Sequence, residues 1–162
     1  MDKQEIHDAI TSALLRRFET AKWAAKQAHD AATNEESVAE NKYDTFGLEA
    51  SYLAHGQSQR VLECEKDWLF FNKKTFVPYE KSDSISLWCL VELALLNAND
   101  ISKRFFVSPC AGGLTVEFHD QTIYLITPSS PVGQILMGKM IDDEVDLRQN
   151  GQQITYEIVT IG

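Results

Sequence analysis

The chain has few residues of the kinds that build disulfide-stapled proteins or bind a nucleic-acid duplex. Its three cysteines, Cys64, Cys89 and Cys110, are odd in number and form no closely spaced pair, which argues against a disulfide framework and a structural zinc site. Only 15 Lys and Arg residues stand against 24 Asp and Glu, and the net charge of -9 lacks the basic footprint of duplex binding. The composition favours a basic partner surface or a bound cation.

Signals for export and for membrane insertion are also missing. The first residues, Met1 to Glu5, lack the basic start and apolar run of a signal peptide, and no stretch is long enough to span a membrane. We therefore expect a cytoplasmic protein in a reducing compartment, with no membrane partner.

Neither proline nor glycine occurs before Gly47, and the first part of the chain has a helical pattern. Apolar and small residues recur there at steps of three and four, as on the inward face of an amphipathic helix. The expected inward positions are Ile6, Ile10, Ala13, Leu14, Arg17, Ala21, Ala24 and Ala28.

A second helix is expected to return along the first. Thr33 and Glu36 have the spacing of a capping box, which predicts a turn near 32–34 and a helix from about residue 35 to about residue 72. The expected inward stripe of this helix is Leu48, Tyr52, Gln59, Leu62 and Leu69. Residues 1–74 thus form a predicted antiparallel helical hairpin, called the arm below.

The tip of the arm, residues 30–44, is rich in carboxylates. It carries Asp30, Glu35, Glu36, Glu40 and Asp44 against the single Lys42. Such a cluster is either a solvated loop, whose charge suits the start of the second helix, or a set of oxygen ligands of the kind that magnesium prefers. The residues alone leave both interpretations open.

The helical period breaks in residues 75–83, which we take as a linker, and residues 84–162 have the pattern of a second domain. Short β-rich runs are separated there by turn residues, and Asn150-Gly151 is a strong hairpin signal. The predicted strands are Ile85 to Leu96, Arg104 to Val107, Leu114 to Phe118, Thr122 to Ile126, Asp143 to Leu147 and Gln153 to Ile161. One helix is predicted over 130–140, so the fold class is α+β.

Three local motifs have simple structural explanations. Residues 133–140 match the spacing of a phosphate-binding loop, but Met140 replaces its Ser or Thr, and the apolar middle favours a buried helix. The run around Cys110, with Pro109 and two glycines, is typical of a turn. The four histidines are scattered and form no pair at ligand spacing.

The arm and the C-terminal motifs together resemble the Gre-type transcription elongation factors, GreA and GreB. In the arm, the resemblance is carried by Glu40-Asn41-Lys42-Tyr43 and Leu48-Glu49-Ala50-Ser51-Tyr52. In the second domain it is carried by Ser129-Ser130-Pro131-Val132-Gly133, Leu136-Met137-Gly138-Lys139, Asp142-Asp143-Glu144-Val145 and Tyr156-Glu157-Ile158. It covers nearly the whole chain.

The resemblance implies an N-terminal coiled coil followed by an FKBP-like, antiparallel β domain with one helix. It implies a monomeric cofactor of bacterial RNA polymerase rather than an enzyme. By this resemblance, the second domain docks at the rim of the polymerase secondary channel through Ser130 and Pro131, and the arm enters the channel. RNA and DNA would be contacted only within the elongation complex.

For the tip, the resemblance implies a role in cleavage of backtracked RNA by the polymerase. Glu36 and Glu40, with Asp44 as a further catalytic carboxylate, would help to hold a second Mg²⁺ in the polymerase active site. Ser37 stands where the family's cleavage factors carry Asp. This departure leaves open a second expectation, that the protein is a secondary-channel regulator that does not promote cleavage.

Overall fold

The computed structural model describes residues 2–33, 46–75 and 83–162. The chain divides into two compact units, one spanning His7–Lys74 and the other combining Met1–Ile6 with Thr75–Gly162. Most of the predicted linker lies outside the described residues, and so does the tip from residue 34 onward.

The first helix, α1 (Lys3–Thr33), has the inward face that the sequence predicts. Ile6, Ile10, Leu14, Ala21 and Ala28 are buried, and the other expected inward positions are half-buried. The helix continues through Thr33, whose hydroxyl donates to the carbonyl of His29 at 3.0 Å. Residues 32 and 33, which were expected in the turn, therefore belong to α1.

The second helix, α2 (Phe46–Asn72), buries a different face from the one predicted. Leu48, Tyr52 and Leu62 are 55%, 70% and 60% exposed, so the predicted inward stripe is wrong. Gln59 is exposed as well, and of the predicted positions only Leu69 is half-buried. Its buried residues are Ala50, Cys64 and Phe71. Ala54, Gln57, Val61 and Trp68 are half-buried and complete this stripe.

Two ring contacts connect α1 and α2. His7 stacks on Phe71 with a centroid distance of 5.5 Å, and Phe18 stacks on Trp68 at 6.0 Å. Lys22 places its ammonium 4.6 Å from the centroid of the Phe18 ring. The predicted helical hairpin is present, with its aromatic contacts toward the N-terminal part of α1.

The second unit contains one six-stranded sheet of strand order β3-β4-β2-β1-β6-β5. Its strands are β1 (Leu90–Leu95), β2 (Ala98–Val107), β3 (Thr115–Phe118), β4 (Gln121–Ile126), β5 (Glu144–Gln149) and β6 (Gln152–Ile161). All neighbouring strands are antiparallel except β2 and β4, which are parallel. The α+β class is confirmed, with one parallel pair in the sheet that was predicted to be antiparallel.

Tight turns connect the hairpins of the sheet. Asn150 (φ 50°) and Gly151 (φ 77°) form the predicted turn between β5 and β6. Asn97 (φ 70°) joins β1 to β2, which begins at Ala98 and is therefore longer than predicted. His119 and Asp120 also have positive φ, and they connect β3 to β4.

The helix α3 (Pro131–Leu136) is shorter than the predicted 130–140. Met137 leaves the helical conformation with ψ 131°, and Gly138 has φ +80°. The next residues pair instead with Ile85, whose N–H donates to Lys139 O at 2.8 Å and whose carbonyl accepts from Gly138 N–H at 2.9 Å. This pairing replaces the last helical turn.

The helix α3 lies over the main hydrophobic core of the second unit. The buried core residues are Ile85, Cys89, Val91, Leu93, Phe105, Val107, Ile126, Leu136, Val145, Leu147, Tyr156, Ile158 and Ile161. Val132 and Ile135 of α3 pack against them. Among the described parts of the chain, no helix combines the length and the hydropathy needed to cross a membrane.

Candidate functional site

The loop between β4 and α3 holds the two residues that the sequence suggests for docking, Ser130 and Pro131. The Ser130 hydroxyl accepts from the N–H of Gly133 at 3.0 Å, as an N-cap does, and donates to the carbonyl of Thr127 at 2.7 Å. The Ser130 N–H donates to the same carbonyl at 3.0 Å. Ser130 therefore fastens the start of α3 to the end of β4.

Gly133 makes this loop compact. A Cβ atom built on Gly133 would lie 1.9 Å from the carbonyl oxygen of Thr127 and 2.9 Å from the Ser130 hydroxyl oxygen. No side chain fits at such distances, so the close approach of α3 to β4 requires glycine here. The phosphate-binding interpretation of this glycine, already disfavoured by the sequence, has no further support, because Gly133 lies buried within α3.

Pro131 occupies the first helical position, where its missing N–H costs no hydrogen bond, and it is exposed. It lines two cavities of the second unit. The first has a volume of about 420 Å³ and the second about 370 Å³. Val132 lines both as well, so this short segment forms the shared rim.

The first cavity is mostly apolar and contains two aromatic rings. Phe105 and Tyr124 lie on neighbouring strands with a centroid distance of 5.8 Å. The remaining lining residues are Gly112, Gly113, Leu114, Leu125, Ile126, Thr127, Ser130, Pro131 and Val132. An apolar cavity with an exposed proline at its rim suits the burial of an apolar side chain of a partner protein.

The second cavity lies at the β5 edge of the sheet. Pro131, Val132 and Ile135 form its apolar part, and Asp146, Leu147, Arg148 and Gln153 complete its lining. Asp146 and Arg148 are exposed, and the Asp146 carboxylate accepts from the Thr155 hydroxyl at 2.5 Å. This cavity therefore combines an apolar wall with exposed charges of both signs.

The remaining predicted site residues, Glu36, Glu40 and Asp44, lie outside the described residues, and so does the predicted magnesium site. Within 2–33, 46–75 and 83–162, no group of three or more His, Cys, Asp or Glu side chains has an arrangement that could hold a metal ion. The structure thus brings together Ser130 and Pro131 and leaves the tip chemistry as a prediction.

Sequence reasoning did not identify Phe105, Tyr124 or Thr127 as part of the site. Phe105 and Tyr124 share one face of adjacent parallel strands, a pairing that becomes visible only when the strand order is known. Thr127 contributes through its backbone carbonyl, which carries no side-chain signal. Only the serine and proline before a helical run marked the loop in advance.

The capping role of Ser130 predicts that its hydroxyl stabilises the folded protein. Ser130→Ala removes the acceptor for the Gly133 N–H and should lower the free energy of unfolding by about 1 kcal/mol. Ser130→Thr keeps the hydroxyl and serves as the matched control. Urea denaturation of the full chain measures the difference, and an alanine variant as stable as wild type would contradict this role.

Comparison with known proteins gives structural neighbours only. No protein-family model matches the chain, and no curated protein matches it. The crystal structure of GreA factor homolog 1 of Thermus thermophilus is 17% identical, with a TM-score of 0.40 and 94% of both chains covered. The corresponding Thermus aquaticus protein is 15% identical, with a TM-score of 0.40 and coverage of 93% of this chain and 92% of that one.

A GreA/GreB transcription elongation factor from Nitrosomonas europaea is also similar in structure. It is 16% identical, with a TM-score of 0.39, and the match covers 60% of this chain and 78% of that chain. Similarities of this size do not assign a family, a partner or a reaction to the chain.

Proposed function

We propose that this protein is a Gre-like transcription factor that binds bacterial RNA polymerase through the Ser130–Val132 segment and acts with its helical arm. The observation that carries the proposal is the compact loop, in which Ser130 and Gly133 fix the chain so that Pro131 remains exposed between two cavities. The segment that resembles the Gre family therefore forms a rigid, exposed surface of the kind that a partner protein can recognise.

The length of the arm supports a role for its tip far from the base of the arm. At a rise of about 1.5 Å per residue, the 31 residues of α1 span roughly 45 Å. Its buried positions change from Ile10 and Leu14 to Ala21 and Ala28 toward the tip. Small residues allow two helices to approach closely, which suits a narrow channel.

At the tip, Glu36 and Glu40 would contribute carboxylate oxygens, with Asp44 as a further catalytic carboxylate. Magnesium held jointly with the polymerase would supply charge stabilisation at the phosphate that is cleaved. Carboxylates on a hairpin end do not form a closed coordination shell, so the isolated protein would bind the ion weakly. In this proposal the protein itself is not an enzyme.

A second candidate function is supported by Ser37. This residue stands three positions before Glu40, where cleavage factors of the Gre family carry Asp. A neutral serine hydroxyl does not supply the negative charge that a carboxylate ligand gives to a Mg²⁺ site. The alternative is therefore a regulator that occupies the secondary channel and does not promote cleavage.

One assay tests the proposal and separates the two candidates. The purified protein is added to a backtracked elongation complex, and the RNA is followed for shortening and for release of a 3′ fragment. Faster cleavage is expected for the first candidate. Measurable polymerase binding without cleavage would exclude it and support the second, and absence of binding would exclude both.

A further inference from the structure

The sheet ends on one side at β5, and the outer edge of this strand offers unused backbone groups. The Asn150-Gly151 turn makes Gln149 and Gln152 a hydrogen-bonded pair, and such pairs alternate along an antiparallel ladder. The backbone groups of Asp146 and Arg148 therefore point away from β6. Within the part of the chain that the structure describes, they have no hydrogen-bond partner.

The β5 edge lacks two of the features that prevent strand addition, a proline and a β-bulge. Its six residues contain no proline, and their register with β6 runs from Glu144 to Gln149 without a bulge. The opposite edge of the sheet, β3, has only four residues. Of the two edges, β5 is the one long enough to template a further strand.

The charged side chains on this edge could form ion pairs with the same side chains of a second copy. In an antiparallel pairing of two copies centred on Leu147, Asp146 lies opposite Arg148 of the second copy, and Arg148 lies opposite Asp146. Both side chains are exposed, and Arg148 has no ion pair among the described residues. The same register also joins the outward-pointing backbone groups of these two residues, so hydrogen bonds and charges favour one alignment.

The apolar part of the neighbouring cavity fits the same symmetry. Pro131, Val132 and Ile135 line the cavity beside β5, which has a volume of about 370 Å³. A two-fold axis through Leu147 makes the contact isologous, so the apolar side of each copy faces the same side of the other. The Asp146–Arg148 ion pairs would then form on one face of the joined sheet, and apolar contacts would form on its other face.

We propose that two copies of this chain associate through antiparallel pairing of their β5 strands, with Asp146 and Arg148 forming reciprocal ion pairs across the two-fold axis. The inference departs from the monomer that the sequence suggests. Pro131 and Val132 also belong to the proposed polymerase-binding segment, but the test separates the two proposals because it uses the isolated protein and requires no polymerase.

The test is a charge-swap series on the full-length protein, with molar mass measured by sedimentation equilibrium over a range of concentrations. The wild type should be a concentration-dependent dimer. Arg148→Glu places like charges opposite each other at two symmetric positions, and its dissociation constant should rise on the order of tenfold. Combining it with Asp146→Arg should restore much of the wild-type association.

A matched control changes the net charge equally at a distant exposed position. Lys26→Glu on α1 meets this requirement and should leave the dissociation constant unchanged. A wild type that remains monomeric over the whole range would overturn the proposal. A dimer that Arg148→Glu does not weaken, or that the double variant does not restore, would also overturn it by pointing to another contact surface.

Discussion

Gly133→Ala should destabilise the second unit more than the replacement of any other described glycine by alanine. The new Cβ would lie 1.9 Å from the Thr127 carbonyl oxygen and 2.8 Å from its carbon, both of which are backbone atoms. Backbone cannot rotate away as a flexible side chain can, so α3 would have to move off β4. We expect a loss of about 3 kcal/mol or more in the free energy of unfolding.

The chain offers a matched control for this substitution. Gly56 lies inside α2, and a Cβ built there meets no atom within 4 Å. Gly56→Ala should therefore stabilise the helix by roughly 0.5–1 kcal/mol, because alanine has the higher helix propensity. Calorimetry or chemical denaturation compares the two variants. A Gly133→Ala protein as stable as wild type would contradict the close packing of α3 on β4.

The second large effect is expected at the tip. If the protein stimulates cleavage of backtracked RNA, Glu36→Ala and Glu40→Ala should each reduce the stimulated rate by at least on the order of 100-fold, because a two-metal site tolerates little misplacement of its ligands. Both residues are distant in sequence from Ser130 and Pro131, so polymerase affinity should be retained. Single-turnover RNA cleavage at saturating protein measures the rate.

Glu19→Ala is the matched control for the tip variants. Glu19 is an exposed carboxylate of α1 outside the tip, and no role in cleavage is assigned to it. Its removal lowers the negative charge of the arm by the same amount and should change the rate little. Equal losses in all three variants would show that overall charge, and not ligation by Glu36 and Glu40, causes the effect.

Much of the arm could be predicted from the sequence, because α1 has a single apolar stripe. The stripe of α2 was assigned to the wrong face because this helix has two candidate stripes, one with large residues such as Leu48 and Tyr52 and one with small residues such as Ala50. Ala21 and Ala28 of α1 and Ala50 of α2 are buried, so small residues face inward in this part of the arm and larger ones such as Leu48 and Tyr52 stay outside.

In the second unit, the Asn150-Gly151 turn and most strand positions were predictable because their signals are local, but β1 begins at Leu90 and not at Ile85 as predicted. The parallel pairing of β2 with β4 was not, since it depends on strand order rather than on either strand's sequence. The early end of α3 follows from the pairing of Ile85 with the segment after Met137, a contact between positions about fifty residues apart in the chain. Long-range contacts of this kind leave no periodic pattern.

In the candidate site, too, local signals were visible in the sequence and long-range contacts were not. Ser130 and Pro131 were identified because capping and first-turn positions have residue preferences. The aromatic lining of the first cavity and the open β5 edge became apparent only from the assembled sheet. The surface that would recognise a partner is therefore larger than its sequence motif.

Equilibrium binding of the full-length protein to bacterial RNA polymerase tests the central claim most directly. Pro131→Glu keeps a favourable residue at the first helical position but puts a charge between the two cavities, and Ser102→Glu adds the same charge at an exposed position of β2 that lines neither cavity. We expect saturable binding by the wild type and the Ser102 variant, and affinity weakened roughly tenfold or more by Pro131→Glu. No saturable binding by the wild type, or equal affinity of all three proteins, would contradict the account.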